Sequence, residues 1–212
     1  MKKKPKYRYD PTAALAHLAS ADPALGKVIT RVGPFALKLE ATTSLFEAML
    51  RSIVYQQLHA KAAASILARV QAELGRHGGV SAEAVAGASD AALRAAGLSR
   101  NKLLAIRDLA ARCRDGTVPT FAEAHALADE ELIERLTTVR GIGPWTVHML
   151  LIFHLGRPDV MPTGDFAIRL AFKKLYRKRK DPKPEHIIRQ RPSVAALSLG
   201  RQLVSLALAR AG

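Results

Sequence analysis

From Leu45 onward, apolar residues recur at the spacing of a helix. Phe46, Met49, Leu50, Ile53, Val54 and Leu58 fall on one helical face, and Ile66, Leu67, Val70 and Leu74 form a second set. Leu103, Leu104, Ile106, Leu109 and Ala110 repeat the pattern further on. No stretch sustains the alternation of a half-buried strand, and β-branched residues are thin. The pattern predicts an all-α protein of roughly ten helices with no repeat of fixed period.

Helix punctuation supports the same reading. Asp22-Pro23 pairs a capping side chain with a proline at the first helical position. Gly75, Gly78 and Gly79 interrupt the second apolar set. Ser81 to Ala96 reads as one alanine-rich helix closed by Gly97, and Ser99 caps the next run. Asp129 is expected to cap a short helix through Leu136. Residues 192–209 read as a final apolar helix.

Charge narrows the class of partner. The 212 residues include 33 Lys and Arg against 18 Asp and Glu, a formal net charge of +15. Such an excess points to an anionic partner, nucleic acid before an acidic membrane surface. The longest apolar stretches fall far below the ~20 residues that span a bilayer. Cys113 is the one cysteine, which excludes an intramolecular disulfide and a cysteine-built zinc or iron–sulfur site. It fits a reducing compartment, and the basic N-terminus is followed by no apolar run. A cytoplasmic protein is expected, nucleoid-associated if bacterial. Lys173, Lys174, Arg177, Lys178, Arg179, Lys180, Lys183, Arg189 and Arg191 form a basic run with only Asp181 and Glu185 against them. It reads either as a solvated face or as a contact to backbone phosphates.

The most informative segment runs from Leu136 to Thr146, where Gly141, Ile142 and Gly143 separate a short helix from one opened by Pro144. Glycines at 141 and 143 permit positive φ and bring N–H groups to the surface. Those donors sit beside a helix N-terminus, which attracts anions. Ile142 is expected to plug the gap between the helices. This makes a phosphate clamp that reads no bases; the plain alternative is an ordinary glycine-rich helix turn. Next, Val160 to Arg169 places Asp165 among apolar and small residues after a turn. It reads as a helix cap, or as a carboxylate that stabilises positive charge developing on a deoxyribose. Glycoside hydrolysis commonly recruits two carboxylates. A base that is already cationic leaves more readily, so one can suffice.

The strings LTTVRGIGPWTVHMLLIF and DVMPTGDFAIRLAFKKLY resemble the helix-hairpin-helix, Gly/Pro-rich loop and aspartate signature of the DNA glycosylase superfamily. Phe46 to Leu58 is similar to the family helix whose end inserts a side chain into DNA, and Gly97 to Lys102 to a family turn. The resemblance covers roughly residues 40–200. The 3-methyladenine DNA glycosylase II (alkylbase) branch is the nearest match, in a short form without the N-terminal β-domain. The bifunctional branch carries a lysine nucleophile where this chain has Trp145, and other branches carry a four-cysteine iron–sulfur loop that is lacking here.

The resemblance implies a two-lobed helical fold with the DNA and base cleft between the lobes. The expected division is 1–48, 49–162 and 163–212, with the helix-hairpin-helix at about 129–155. It implies base-excision repair by monofunctional hydrolysis of alkylated bases flipped from duplex DNA. Asp165 is then the catalytic carboxylate. Arg140, Gly141, Gly143 and Thr146 form the phosphate clamp, and Gln57 is the wedge that fills the gap left by the flipped base. Trp145, Phe166 and Tyr55 are base-pocket candidates, by stacking on a cationic purine. Trp145 otherwise packs in the hairpin core, and His59 and His154 read as surface or packing residues. No metal or cofactor is expected, the partner is damaged double-stranded DNA, and a monomer suffices. Two other readings stay open: a non-catalytic hairpin DNA-binding protein, and a glycosylase for uracil or mismatched bases.

Overall fold

A computed structural model describes residues 7, 9–42 and 44–190. The expected apolar helix over 192–209 lies outside the described residues. Among those described, twelve helices and no strand are found. The helices are α1 (Pro11–Ala21), α2 (Pro23–Val32), α3 (Leu45–Tyr55), α4 (Ala60–Gly75), α5 (Ala82–Gly87) and α6 (Asp90–Ala95). They continue as α7 (Arg100–Arg114), α8 (Phe121–Ala126), α9 (Asp129–Thr137), α10 (Pro144–Phe153), α11 (Phe166–Leu175) and α12 (Pro184–Gln190).

Short side chains start most of these helices. Asp10, Asp22, Ser44, Ser81, Ser89, Ser99, Thr120 and Asp165 each accept a backbone N–H from the first turn that follows. Each bond satisfies a donor that the helix cannot, and replacing such a cap costs about 1 kcal/mol. Thr120 and Glu123 close a reciprocal capping box.

One of the additional helices has a local cause. The alanine-rich run from Ser81 is two helices, because Ala88 is extended and Ser89 caps a new start by accepting from Ala92 N at 3.1 Å. Asp129 does not cap α9. Ala128 holds that position, and Asp129 is the first helical residue, where its charge still favours the helix dipole.

The chain divides into two compact units, residues 1–41 with 151–212, and residues 42–150. The expected joins, at 48/49 and 162/163, fall seven and twelve residues further along the chain. In the 42–150 unit, α7 packs against α3 and α5. Leu50, Ile53, Val54, Val70, Leu74, Ile106, Leu109, Leu132 and Leu136 are fully enclosed there. The periodic faces overreach at their edges, for Leu58 and Leu104 are about 40% exposed, at 39% and 40%. Burial of each enclosed leucine or isoleucine is worth roughly 1.5–3 kcal/mol.

In the other unit, Ala14 and Leu18 pack with Leu25, Val28 and Ile29 across the α1–α2 pair. Tyr7, Tyr9 and Phe35 meet edge-on or tilted beside them. Asp22 fastens this pair to the end of α11. Its Oδ1 caps α2, while Oδ2 accepts from the Tyr176 hydroxyl at 2.5 Å. Burial, with the Asp22 hydrogen bond and charge, pushes the Tyr176 phenol well above its ordinary range.

Candidate active site

The hairpin between α9 and α10 lies in the 42–150 unit. Val139 N–H bonds back to Leu136 O and Ile142 N–H to Val139 O, which curls the chain tightly. Ile142 is buried at 5% exposure, as a plug between two helices requires. Gly141 is left-handed at φ 75°, and its surface position leaves the backbone open. Gly143, which also permits positive φ, does not adopt it. Its role is at the helix start, where its carbonyl accepts from the N–H groups of Thr146 and Val147. Thr146 N–H is thereby consumed inside the protein. The N–H groups of Gly141 and Gly143 have no hydrogen-bond acceptor among the described residues, so both are available to an anion.

Three of the expected DNA contacts gather around one cavity of about 420 Å³. Gln57, Arg140 and Gly141 line it with Gln56, Asn101 and Lys102. Gln57 stands two residues beyond the end of α3, not at it, exposed and left-handed at φ 56°. A non-glycine residue held there is strained, a feature that concentrates at functional sites. The strain is supported on both sides. Lys102 donates from Nζ to Val54 O at 2.6 Å, satisfying a carbonyl at the end of α3. Gln56 donates from Nε2 to Gly141 O at 2.9 Å. Burial lowers the Lys102 ammonium below its ordinary range. Asp108 accepts through Oδ2 from Arg140 N–H at 2.7 Å and from Arg112 Nε at 3.1 Å. The Gln56–Gly141 and Asp108–Arg140 bonds carry no local sequence signal, because they join residues 85 and 32 positions apart.

The aromatic candidates differ among themselves. Trp145 is 47% exposed and Phe166 77% exposed, so neither serves as a core residue. Trp145 is therefore not the packed hairpin-core side chain that the plain reading expects. Tyr55 is half-buried, with the Arg51 guanidinium over its ring at 4.4 Å. His59 is exposed at the start of α4, and His154 stands 3.8 Å from Glu40.

Asp165 lies in the other unit, at 7% exposure. Among the described residues, Arg157 and Asp165 are the buried charged side chains. The Gly/Pro turn before it folds back, with Asp165 N–H donating to Pro162 O at 2.9 Å. Oδ1 caps α11 by accepting from Ala167 N at 2.9 Å and Ile168 N at 3.2 Å. The two bonds fix the carboxylate plane at the helix start. The cap reading and the catalytic reading use different properties of one group: Oδ1 anchors it, and its charge is what chemistry requires. Among the described residues, no three His, Cys, Asp or Glu side chains gather in a metal-binding arrangement. No described helix is long and apolar enough to cross a membrane.

Residues 50–195 match the model of the HhH-GPD superfamily base excision DNA repair protein family. DNA-3-methyladenine glycosylase 1 of Schizosaccharomyces pombe is 35% identical over 179 residues, spanning 84% of this chain and 78% of the relative. A solved structure of the S. pombe 3-methyladenine DNA glycosylase in complex with abasic DNA superposes with a TM-score of 0.74 at 33% identity. That alignment covers 91% of this chain and 95% of the other. A DNA-3-methyladenine glycosidase from Bacillus halodurans gives a TM-score of 0.78 at 29% identity, over 96% and 91% of the two chains. The matched residues span the glycine hairpin and the capped, buried Asp165 that follows it, and the chain belongs to the HhH-GPD superfamily of base excision DNA repair proteins.

Proposed function

We propose that this protein is a monofunctional DNA glycosylase that hydrolyses the N-glycosidic bond of alkylated, 3-methyladenine-type bases and leaves an abasic site. The observation that carries this reading is Asp165, a carboxylate at 7% exposure clamped by two backbone N–H groups. The relatives' activity on 3-methyladenine supports the substrate class.

The chemistry follows from charge. Alkylation makes the base cationic, so its departure as a neutral purine needs little acid catalysis. Positive charge then develops on the sugar, and Asp165 stabilises it electrostatically and orients water onto C1′. Trp145 offers no amine for a Schiff base, so the product is an intact abasic site. Its exposed ring suits stacking on a cationic purine, worth roughly 1–2 kcal/mol, and the exposed ring of Phe166 in the other unit is separately suited to the same contact. The open N–H groups of Gly141 and Gly143, with Arg140, hold backbone phosphates, and Gln57 fills the vacated base position. The enzyme acts on damaged duplex DNA as a monomer without a cofactor, in the compartment that holds the DNA.

The test is release of base from duplexes carrying single defined lesions, read as strand cleavage by alkali at abasic sites. Asp165→Asn keeps an acceptor for the α11 cap and loses the charge, so it is expected to bind DNA and remain folded. Base release should fall at least about 100-fold. Turnover close to that of the unaltered protein would refute the assignment. No abasic product on any lesion would leave a hairpin DNA-binding protein, and release of uracil alone would move the chain to another substrate class.

A further inference from the structure

The segment joining α11 to α12 carries charge that the proposed function does not use. From Lys173 to Arg189 the sequence sets eight Lys and Arg against two acids. One of the acids is already committed. Lys173 donates from Nζ to Asp181 Oδ1 at 2.8 Å, and that bond holds the Asp181 carboxyl below its ordinary range. Lys178, Arg179, Lys180 and Lys183 are all exposed, and no carboxylate among the described residues pairs with them.

These four do not lie on a flat solvated face. With Phe172, His186 and Arg189 they line a concavity of about 570 Å³. The loop is anchored at both ends. Arg177 turns left-handed at φ 49°, and Lys178 N–H closes back onto Lys173 O at 2.9 Å. Pro182 is buried, and Ile187 of α12 is fully enclosed. Like charges held together in a concave wall repel one another, and the wall focuses their field outward. An anchored loop cannot relieve that repulsion by spreading, so a polyanion is the partner that compensates it.

We propose that this groove is a second backbone-binding site, which takes phosphates of duplex DNA flanking the lesion. The location rests on the glycosylase reading, because α11 runs from Asp165 to the groove. Its ten residues span ~15 Å, a reach of about four base pairs along a duplex. The charge argument does not rest on that reading.

The experiment compares the full chain with a variant carrying Lys178→Gln, Arg179→Gln, Lys180→Gln and Lys183→Gln. Affinity for a long undamaged duplex is measured across a range of KCl. Each phosphate contact contributes about 0.9 to the slope of log affinity against log salt. The variant slope should be shallower by about 2–4, and base release from saturating lesion duplex in a single turnover should be unchanged. A companion variant carrying Lys178→Arg, Lys180→Arg and Lys183→Arg should keep the full slope, which separates lost charge from lost folding. Equal slopes would overturn the proposal. So would an unchanged DNA slope with loss of binding to anionic phosphatidylglycerol vesicles, which would assign the groove to a membrane. A fully active Asp165→Asn protein would defeat the catalytic reading and leave the slope difference standing, because undamaged DNA undergoes no chemistry.

Discussion

Gln56 and Gly141 are joined by a 2.9 Å hydrogen bond across 85 residues of sequence, side-chain amide to backbone carbonyl. The bond couples two left-handed turns. Gly141 itself has φ 75°, and Gln57, next to Gln56, has φ 56°. The turn proposed to offer N–H groups to phosphate and the turn proposed to present the wedge side chain therefore share one support.

Removing that support should affect binding more than folding. Gly141 is exposed, so water can replace the amide and the stability loss in Gln56→Ala should stay near 0.5–1.5 kcal/mol. Affinity for duplex DNA should fall about three- to tenfold as both turns loosen. Asp108→Ala, which releases Arg140 N–H and Arg112, should act in the same direction, and the two effects should be less than additive. Binding titrations beside urea unfolding decide this; a loss of stability with intact affinity would reduce the tie to scaffolding.

A second expectation concerns packing at Gly97. This residue follows α6 at φ +105°, and a Cβ there would stand 2.9 Å from Arg69 Nη2 and 3.1 Å from Ile66 Cγ1. Arg69 is not free to withdraw, since its Nε donates to Ala96 O at 2.9 Å and its Nη1 to Ser65 Oγ at 2.8 Å. Gly78 provides the control, left-handed at φ +95° with nothing within 4 Å. Gly78→Ala should cost only the backbone term, roughly 1 kcal/mol, whereas Gly97→Ala should cost about 2–4 kcal/mol. Thermal unfolding would show this as an extra loss of several degrees. Equal melting points for the two variants would mean the neighbours of Gly97 yield without penalty.

The single thiol gives a third measurement. Burial, aided by the charges of Glu83 and Asp115, pushes Cys113 up to about 11. Its thiolate is scarce at pH 8, and the higher intrinsic nucleophilicity of a basic thiol recovers only part of the rate. Alkylation by iodoacetamide should run about tenfold slower than for free cysteine, and unfolding in urea should abolish the difference. Rapid labelling of the folded chain would show that the thiol is not shielded.

What the sequence made legible is local chemistry. Asp22 and Ser99 bind donors two or three residues away, so the residue types alone announce the helix starts. The Gly141–Pro144 turn is likewise written within a few positions. Ser89-Asp90 carried a cap signal too, but the surrounding alanines favour helix so evenly that one long element fitted equally well. The two hairpin glycines look alike in sequence, and only the path of the backbone separates the left-handed one from the helix-starting one. Periodicity assigned Leu58 and Leu104 to the core because it records a face of the helix and not where that face stops being covered. The bonds from Gln56 to Gly141 and from Arg140 N–H to Asp108 are invisible for a stricter reason: tertiary packing chooses these partners, and the i,i+4 pair of Asp108 with Arg112 looks like any surface helix pair.

The last expectation follows from His148 on α10. Burial lowers its imidazole below the ordinary range, and the charge of Asp129 opposes that shift without overcoming it. Above the unfolded value of about 6.5 the ring is neutral in both states, and the folded protein keeps its full stability. Below it, the unfolded chain takes up a proton that the folded chain resists, so unfolding becomes more favourable as pH falls. Urea midpoints should therefore decline between about pH 7.5 and pH 5.5, and His148→Gln should decline less. The comparison with the variant is needed because the sequence has seven histidines. If the variant and the unaltered protein lose stability in parallel, His148 titrates alike in both states, and the burial of its ring carries no electrostatic penalty.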